Sequence, residues 1–520
     1  MTTNSNQNTT LEIDTQTKVK RHVIRIVIVV LCIIILFFIL QNNRRKLPAP
    51  SETERVLAVS RLYKAASDYY CYFNDDDINW NMAYEKAIAD VLEAKTFRNY
   101  LIALECFRAN LKDGHADGLI FTSGAQKLKD IGVLPFYCSW YDNEYVVIKT
   151  VLSNIHIGDV LVQVDGVETN KWLEDNLGET VATQTPDTRE KKLCEKFFMF
   201  FQRGKSFTCT FKSTVGDYYS TKVKASYYPE MTSLPIKPVL SSGMDEHVIY
   251  SGNAFQITEL PGNVLVLKNS SLQGEKVWFE FIDYVYPMIN HSNRIILDLR
   301  NNNGGNSRIG YEVLTTLTGK TLSHDNLQVQ YSIKSCKETT YSALLRGPLQ
   351  NLYHEAFSAV YSDEEIARIT DLGEKMERNA CFVDEEQYNE ILTLLGGQPT
   401  PVIDEGFGGV TLSALNLPVV VLIDSESGSA IDTVAQYAED MGLLTVGTHT
   451  AGATGDLFLV DLGGGVLSGF SSFHITNNIN KKVLHNNGVM AKIQIDNNAT
   501  SICKGVDLQL IAAWNVFQEN

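Results

Sequence analysis

The sequence predicts an α/β core that carries a small β domain and an N-terminal helical segment, tethered by a single transmembrane anchor. Three observations give this reading. Between about 245 and 520, short apolar runs such as Ile295-Ile296-Leu297 and Val419-Val420-Val421-Leu422-Ile423 alternate with stretches of helical spacing. That alternation is the mark of a parallel sheet with crossover helices. From 121 to 226 the runs become short strands separated by tight turns, and Val23 to Leu40 is apolar apart from Arg25.

At 520 residues the chain is longer than one ordinary domain. A hydrophobic content of 44% supplies real cores, and a net charge of −16 excludes the basic footprint of a nucleic-acid partner. Residues 1–22 are polar, rich in Thr and Asn, and read as a cytoplasmic tail. The apolar run 23–40 approaches the roughly 17 to 25 residues that a spanning helix needs. No small-residue cleavage site follows it, only Gln41-Asn42-Asn43-Arg44-Arg45-Lys46, so it reads as an uncleaved signal anchor. Basic residues lie on both sides, and the large remainder of the chain is expected to be extracellular or lumenal. Outside the anchor there are eight cysteines, an even number that permits disulfides in such a compartment. The tripeptides beginning at Asn269, Asn290 and Asn498 are candidate glycosylation sites. No CxxC pair is present, so no metal is expected.

A linker at 41–51 leads into a helical segment at 52–120. Val56, Leu57, Val59, Leu62 and Tyr63 line one face, Ile88, Val91 and Leu92 another, and Tyr100, Leu101, Leu104 and Phe107 a third. It ends in Asp113-Gly114-His115, a turn with a histidine leaving it. Residues 121–226 then form the β domain. Its run Ile157-Gly158-Asp159-Val160-Leu161-Val162-Gln163-Val164-Asp165-Gly166 resembles the glycine–aspartate signature of PDZ domains. A PDZ-like domain implies binding of an extended peptide as an added strand.

In the core at 245–520, helical polar sequence at about 334–409 reads as an insertion. Two strand ends stand out. One is Asp298-Leu299-Arg300-Asn301-Asn302-Asn303-Gly304-Gly305. The other is Asp424-Ser425-Glu426-Ser427-Gly428-Ser429-Ala430, between a strand and a helix. A serine there suits a nucleophile, because the helix N-terminus favours the charge developed in acyl transfer. It equally suits a helix cap.

These two loops, in this order after a PDZ-like stretch, resemble the C-terminal processing (tail-specific) serine peptidase family. The resemblance implies a ClpP/crotonase-like α/β core. It implies Ser429 as nucleophile and an oxyanion hole from Gly304 or Gly305 together with Ala430. One branch of that family takes its base from a lysine, but the matching position here is Ala453. The branch that includes tricorn and the chlamydial protease-like activity factor uses a histidine from a D-G-H segment, which His115 matches. That branch also has a late glutamate; His485 stands at about its place. The expectation is a membrane-anchored serine endopeptidase cleaving peptide or unfolded protein segments, with no cofactor. The alternative is a catalytically silent, ligand-binding relative.

Overall fold

The computed structural model describes residues 48–518, apart from 71, 74–77, 122–130, 200, 227, 229–230, 232–237, 291, 323–409, 456 and 473–482. The expected tail, the anchor at 23–40, most of the linker and the expected insertion at 334–409 lie outside the described residues. Among the described residues, no helix is long and apolar enough to cross a membrane.

A seven-stranded sheet organises the core. In spatial and chain order its strands are His247–Ser251, Phe255–Leu260, Val264–Asn269, Arg294–Asp298, Val419–Ile423, Leu444–Gly447 and Ile493–Gln494. The first pairings are antiparallel, and from Val264–Asn269 onward all are parallel. Parallel strands are covered on both faces, which is why their sequences are apolar throughout rather than alternating. Ile295, Leu297, Val421 and Ile423 point to one face, where helices Ser307–Thr318 and Ala430–Asp440 complete the larger core. Ile296, Val420 and Leu422 point to the other face, against the C-terminal helix Leu508–Asn515.

The helical segment is not a free-standing unit. Helices Glu52–Tyr69, Trp80–Glu93 and Phe97–Ala109 share a core with the hairpin Leu457–Gly463/Val466–Ser471, through Trp80, Phe107, Phe458 and Phe470. Ile120–Phe121 adds a short third strand to that hairpin. The N-terminal helices and this late hairpin are thereby folded onto each other, just where Asp113-Gly114-His115 emerges.

The β domain is a sheet of Phe136–Tyr141, Glu144–Thr150, Val160–Val164, Ser206–Lys212 and Tyr218–Lys224, packed by Trp172, Phe197, Phe207 and Phe211. Its glycine–aspartate signature has a local cause. A Cβ on Gly158 would lie 2.5 Å from Cys503 Cβ, so this turn docks against the helix Ala499–Lys504 of the core. Helix Pro186–Met199 lies along the outer edge of strand Phe136–Tyr141. Trp140 Nε1 donates to Asp187 Oδ1 at 3.0 Å, the Tyr137 and Phe198 rings are 5.1 Å apart, and Lys191 sits over the Tyr141 ring. An added peptide strand has to displace these contacts. The opposite edge strand, Tyr218–Lys224, is largely exposed. A buried ion cluster ties this helix to the N-terminal helices: Lys196 Nζ lies 2.9 Å from Glu105, which also pairs with Arg108.

Cys106, Cys138, Cys194, Cys209 and Cys503 are free, and no disulfide forms among the described residues. Asn269 corrects one glycosylation expectation. Its side chain is buried, with Nδ2 donating to Ser271 O at 2.9 Å, so no sugar can be carried there in the fold.

Candidate active site

The two loops singled out in the sequence leave neighbouring strands at the same edge. Asp298 pairs with Leu422 in parallel register, so both chains run off the carboxyl ends side by side. This is where open α/β sheets build their sites.

Of the three serines in the turn, Ser427 has its hydroxyl spent on structure and Ser425 is buried. Ser427 is fully buried; its Oγ donates to Leu299 O or Asp424 Oδ1, each at 3.0 Å, and accepts Asp424 N–H. Ser425 is buried, and its carbonyl accepts Thr188 Oγ–H at 2.9 Å. Ser429 is half-buried at the N-cap of helix Ala430–Asp440, with φ 57° and ψ −121°. Its side chain makes no capping bond. Among the described residues its hydroxyl has no hydrogen-bond partner. A serine used as a cap has extended backbone and bonds the helix amides. Ser429 does neither, and its left-handed backbone is the kind of local strain that sharp nucleophile turns hold.

The glycine loop is pressed against this turn. A Cβ on Gly304 would lie 2.7 Å from both Ala430 N and Ser429 Cβ, so no other residue allows this approach. The loop is braced from below. Asn302 is fully buried; its Nδ2 donates to Asn269 Oδ1 at 2.6 Å, and its Oδ1 accepts Gly304 N–H at 2.9 Å. Gly428 N–H donates to Asn302 O at 3.0 Å, locking the two loops together. The Gly304 amide is therefore engaged. Among the described residues the Gly305 and Ala430 N–H groups have no acceptor, although Gly305 also forms a bridge with Leu272. At the base of the loop Arg300 pairs with Asp298 at 2.8 Å and with Asp507 at 2.9 Å.

The His115 segment meets the loop beside the serine turn through a contact between small residues. A Cβ on Gly114 would lie 2.6 Å from Ala453 Cβ. The histidine segment thus occupies the space in front of residue 453, into which a lysine at that position would have to grow. Ala453 belongs to the loop that is bonded to the serine turn through Ala451 N–H to Ser427 O at 2.8 Å. The segment that carries His115 thus packs against a loop bonded to the turn that carries Ser429, and no hydrogen bond joins His115 to Ser429 among the described residues.

The partner of His115 Nδ1 is Ser471 Oγ at 2.8 Å. Ser471 Oγ also donates to Asp113 Oδ1 at 2.9 Å, and Asp113 is fully buried. A carboxylate only accepts, so the single hydroxyl proton points to Asp113 and the serine accepts Nδ1–H. This arrangement leaves the Nε2 lone pair available. Burial holds the His115 pKa below its usual value; Asp113 opposes that shift and His485 adds to it.

His485 is not at Nδ1. It is buried with its ring stacked on Tyr72 at 3.7 Å, and its Nε2 lies 3.0 Å from Asn486 Nδ2. Sequence reasoning missed Ser471, which is 356 positions from His115. Asp113 stands in the Asp-Gly-His turn, but its residue type alone assigns it no part. Sequence reasoning also missed His449, whose Nε2 lies 3.1 Å from Asp187 in the β domain. Burial pulls His449 down, but the Asp187 hydrogen bond and the Thr450 carbonyl together raise its pKa. Among the described residues no cluster of ligands that would hold a metal exists.

Residues 263–495 match the family described as Peptidase family S41. The fold resembles the crystal structure of mature CPAF, with a TM-score of 0.60 and 16% identity over 90% of this chain and 97% of that one. Mature CPAF complexed with lactacystin is similar at 0.59 and 17%, over 90% and 98% of the two chains. No curated protein sequence matches the chain.

Proposed function

From the premise that the chain is a serine-type peptidase with the core of family S41, we propose that Ser429 is its nucleophile and His115 its general base. The observation that carries this is a serine at a helix N-terminus whose hydroxyl is not used as a cap and whose backbone is held at φ 57°. His115 Nε2 takes the Ser429 Oγ proton as Oγ attacks the scissile carbonyl. The oxyanion is received by Ala430 N–H and Gly305 N–H, since the Gly304 amide is committed to Asn302. The imidazolium then gives its proton to the leaving amine, and water repeats the sequence to release the acyl group. Asp113 stabilises the imidazolium through Ser471, in the part the sequence suggested for His485.

The substrates are peptide or unfolded protein segments. A folded chain does not present an extended backbone to a site framed by two strand-end loops. The apolar stretch 23–40 anchors the chain in a membrane, with the peptidase part on the extracellular or lumenal side. Turnover of an unstructured protein by wild type, Ser429→Ala and His115→Ala tests the chemistry. Activity in wild type alone supports it. Equal, negligible turnover in all three overturns it and leaves a peptide-binding protein. Release of the full chain from membranes by alkaline carbonate would overturn the anchor.

A further inference from the structure

The start of helix Pro186–Met199 docks the β domain onto the loops beside Ser429. Thr185 Oγ1 donates to Ala451 O at 2.7 Å, and Thr188 Oγ1 donates to Ser425 O at 2.9 Å. Both threonines are buried. Ala451 N–H in turn donates to Ser427 O at 2.8 Å, so helix, loop and serine turn form one hydrogen-bonded unit. Between the two threonines stands Asp187. Its Oδ1 accepts Trp140 Nε1–H at 3.0 Å, and its Oδ2 lies 3.1 Å from Nε2 of His449, two residues before Ala451.

The geometry fixes the protonation that this pair needs. His449 is buried, and its Nδ1 lies 2.8 Å from Thr450 O. A carbonyl only accepts, so Nδ1 carries a proton. A neutral imidazole has one N–H, and its Nε2 would then turn a lone pair towards the carboxylate. Attraction to Asp187 requires the second proton, and with it an imidazolium. Among the described residues Nε2 has no other partner. Lys191, on the same helix, opposes the second proton. Asp496 faces Asp187 from beyond strand Ile493–Gln494, and Asp424 and Glu426 of the serine turn face Lys191. Met490, bridged to His449, brings no charge. We propose that His449 and Asp187 are positioning residues: paired as imidazolium and carboxylate between core and β domain, they hold the 449–451 loop on helix Pro186–Met199 and so keep the serine turn in its working shape. This rests on the Ser429–His115 reading and gives neither residue a chemical step.

The pH profile discriminates this from simple packing. Burial pulls the His449 pKa down, but Asp187 and the Thr450 carbonyl raise it on balance. The contribution of a group raised on folding is full below its unfolded value and is lost as pH rises through its folded one. In the full chain, the rate of Ser429 labelling by a fluorophosphonate is expected to rise as His115 loses its proton. It is then expected to fall at least about threefold as pH rises through the His449 value. His449→Gln and Asp187→Asn each replace the charged pair by an amide contact that holds at any pH. Both variants are expected to keep the acid limb and lose the alkaline fall. The melting temperature of wild type relative to His449→Gln is expected to drop over the same alkaline range. A wild-type rate that stays level there overturns the proposal, and so does an alkaline fall with the same midpoint in both variants. A melting difference that does not change with pH overturns the ion pair. The wild-type profile decides even if a variant does not fold. Failure of wild type to label at Ser429 overturns the nucleophile reading and the positioning role with it.

Discussion

The two halves of the proposed site are built in opposite ways. The nucleophile half comes from one sheet: two neighbouring parallel strands end together, and their loops bond directly to each other through Gly428 N–H to Asn302 O and Ser427 Oγ to Leu299 O. The base half is assembled from afar. His115 leaves the N-terminal helices, its Nδ1 partner Ser471 ends a late hairpin, and the two touch only because those elements share a core. The first half is fixed by local chain geometry, and the second by tertiary packing. Changes in the first are therefore expected to act through the oxyanion and nucleophile. Changes in the second should act through the proton.

The largest effect is expected at Ser429 and His115 themselves. Either change to Ala should lower kcat by at least about 10³-fold, and the double variant should lose little more, because residues that act as a unit are not additive. Equal independent losses in a double-variant cycle would break the comparison, since they would mean that the halves do not act on one proton. Gly304→Ala follows. It meets both a positive φ of 97° and contacts at 2.7 Å, so it should cost about 10²-fold in kcat by moving the oxyanion donors. Kinetics on unstructured protein, with circular dichroism to confirm the fold, would check it.

Ser471→Ala is expected to be milder, at about 10-fold to 10²-fold in kcat, because it removes orientation of His115 and not the base. The pH profile sharpens this. Burial lowers the folded His115 pKa, so the base stays neutral below the usual histidine range and activity persists there, falling only as pH drops through the lowered value. By the same sign, this histidine resists protonation in the fold. Its contribution to stability is full above its unfolded pKa, and is lost as pH falls through its folded one. The smallest effect is expected at His485. His485→Ala should leave kcat within about threefold, while losing about 0.5 to 1.5 kcal/mol of stacking on Tyr72 by thermal melts. A rise in activity for His485→Glu would instead restore His485 as the orienting group.

This contrast also sets what was legible in the sequence. The nucleophile half could be read, because strand, loop and helix follow one another along the chain. The α/β alternation, the two loops, Ser429 and its glycines all have local signatures. What could not be read was which loop amides are free, because Asn302 takes the Gly304 N–H through a side-chain bond that spacing does not reveal. The base half showed only its Asp-Gly-His triplet. Ser471 sits in an ordinary-looking strand, and nothing in Val466–Ser471 marks it as a partner of residue 115. His485 was chosen by position along the chain, and its ring turned out to serve a stacking contact. At the β-domain edge the strand was recognisable in the sequence, but the helix lying along it was not.

The central claim is that Ser429 is an activated nucleophile and His115 activates it. Reaction of the purified chain with a fluorophosphonate, followed by peptide mapping and by the labelling rate against pH, tests this without knowledge of the substrate. The account predicts a single adduct on Ser429, with a rate that falls at least about 10²-fold in His115→Ala. An adduct on Ser425 or Ser427, or a rate unchanged in His115→Ala, would contradict it.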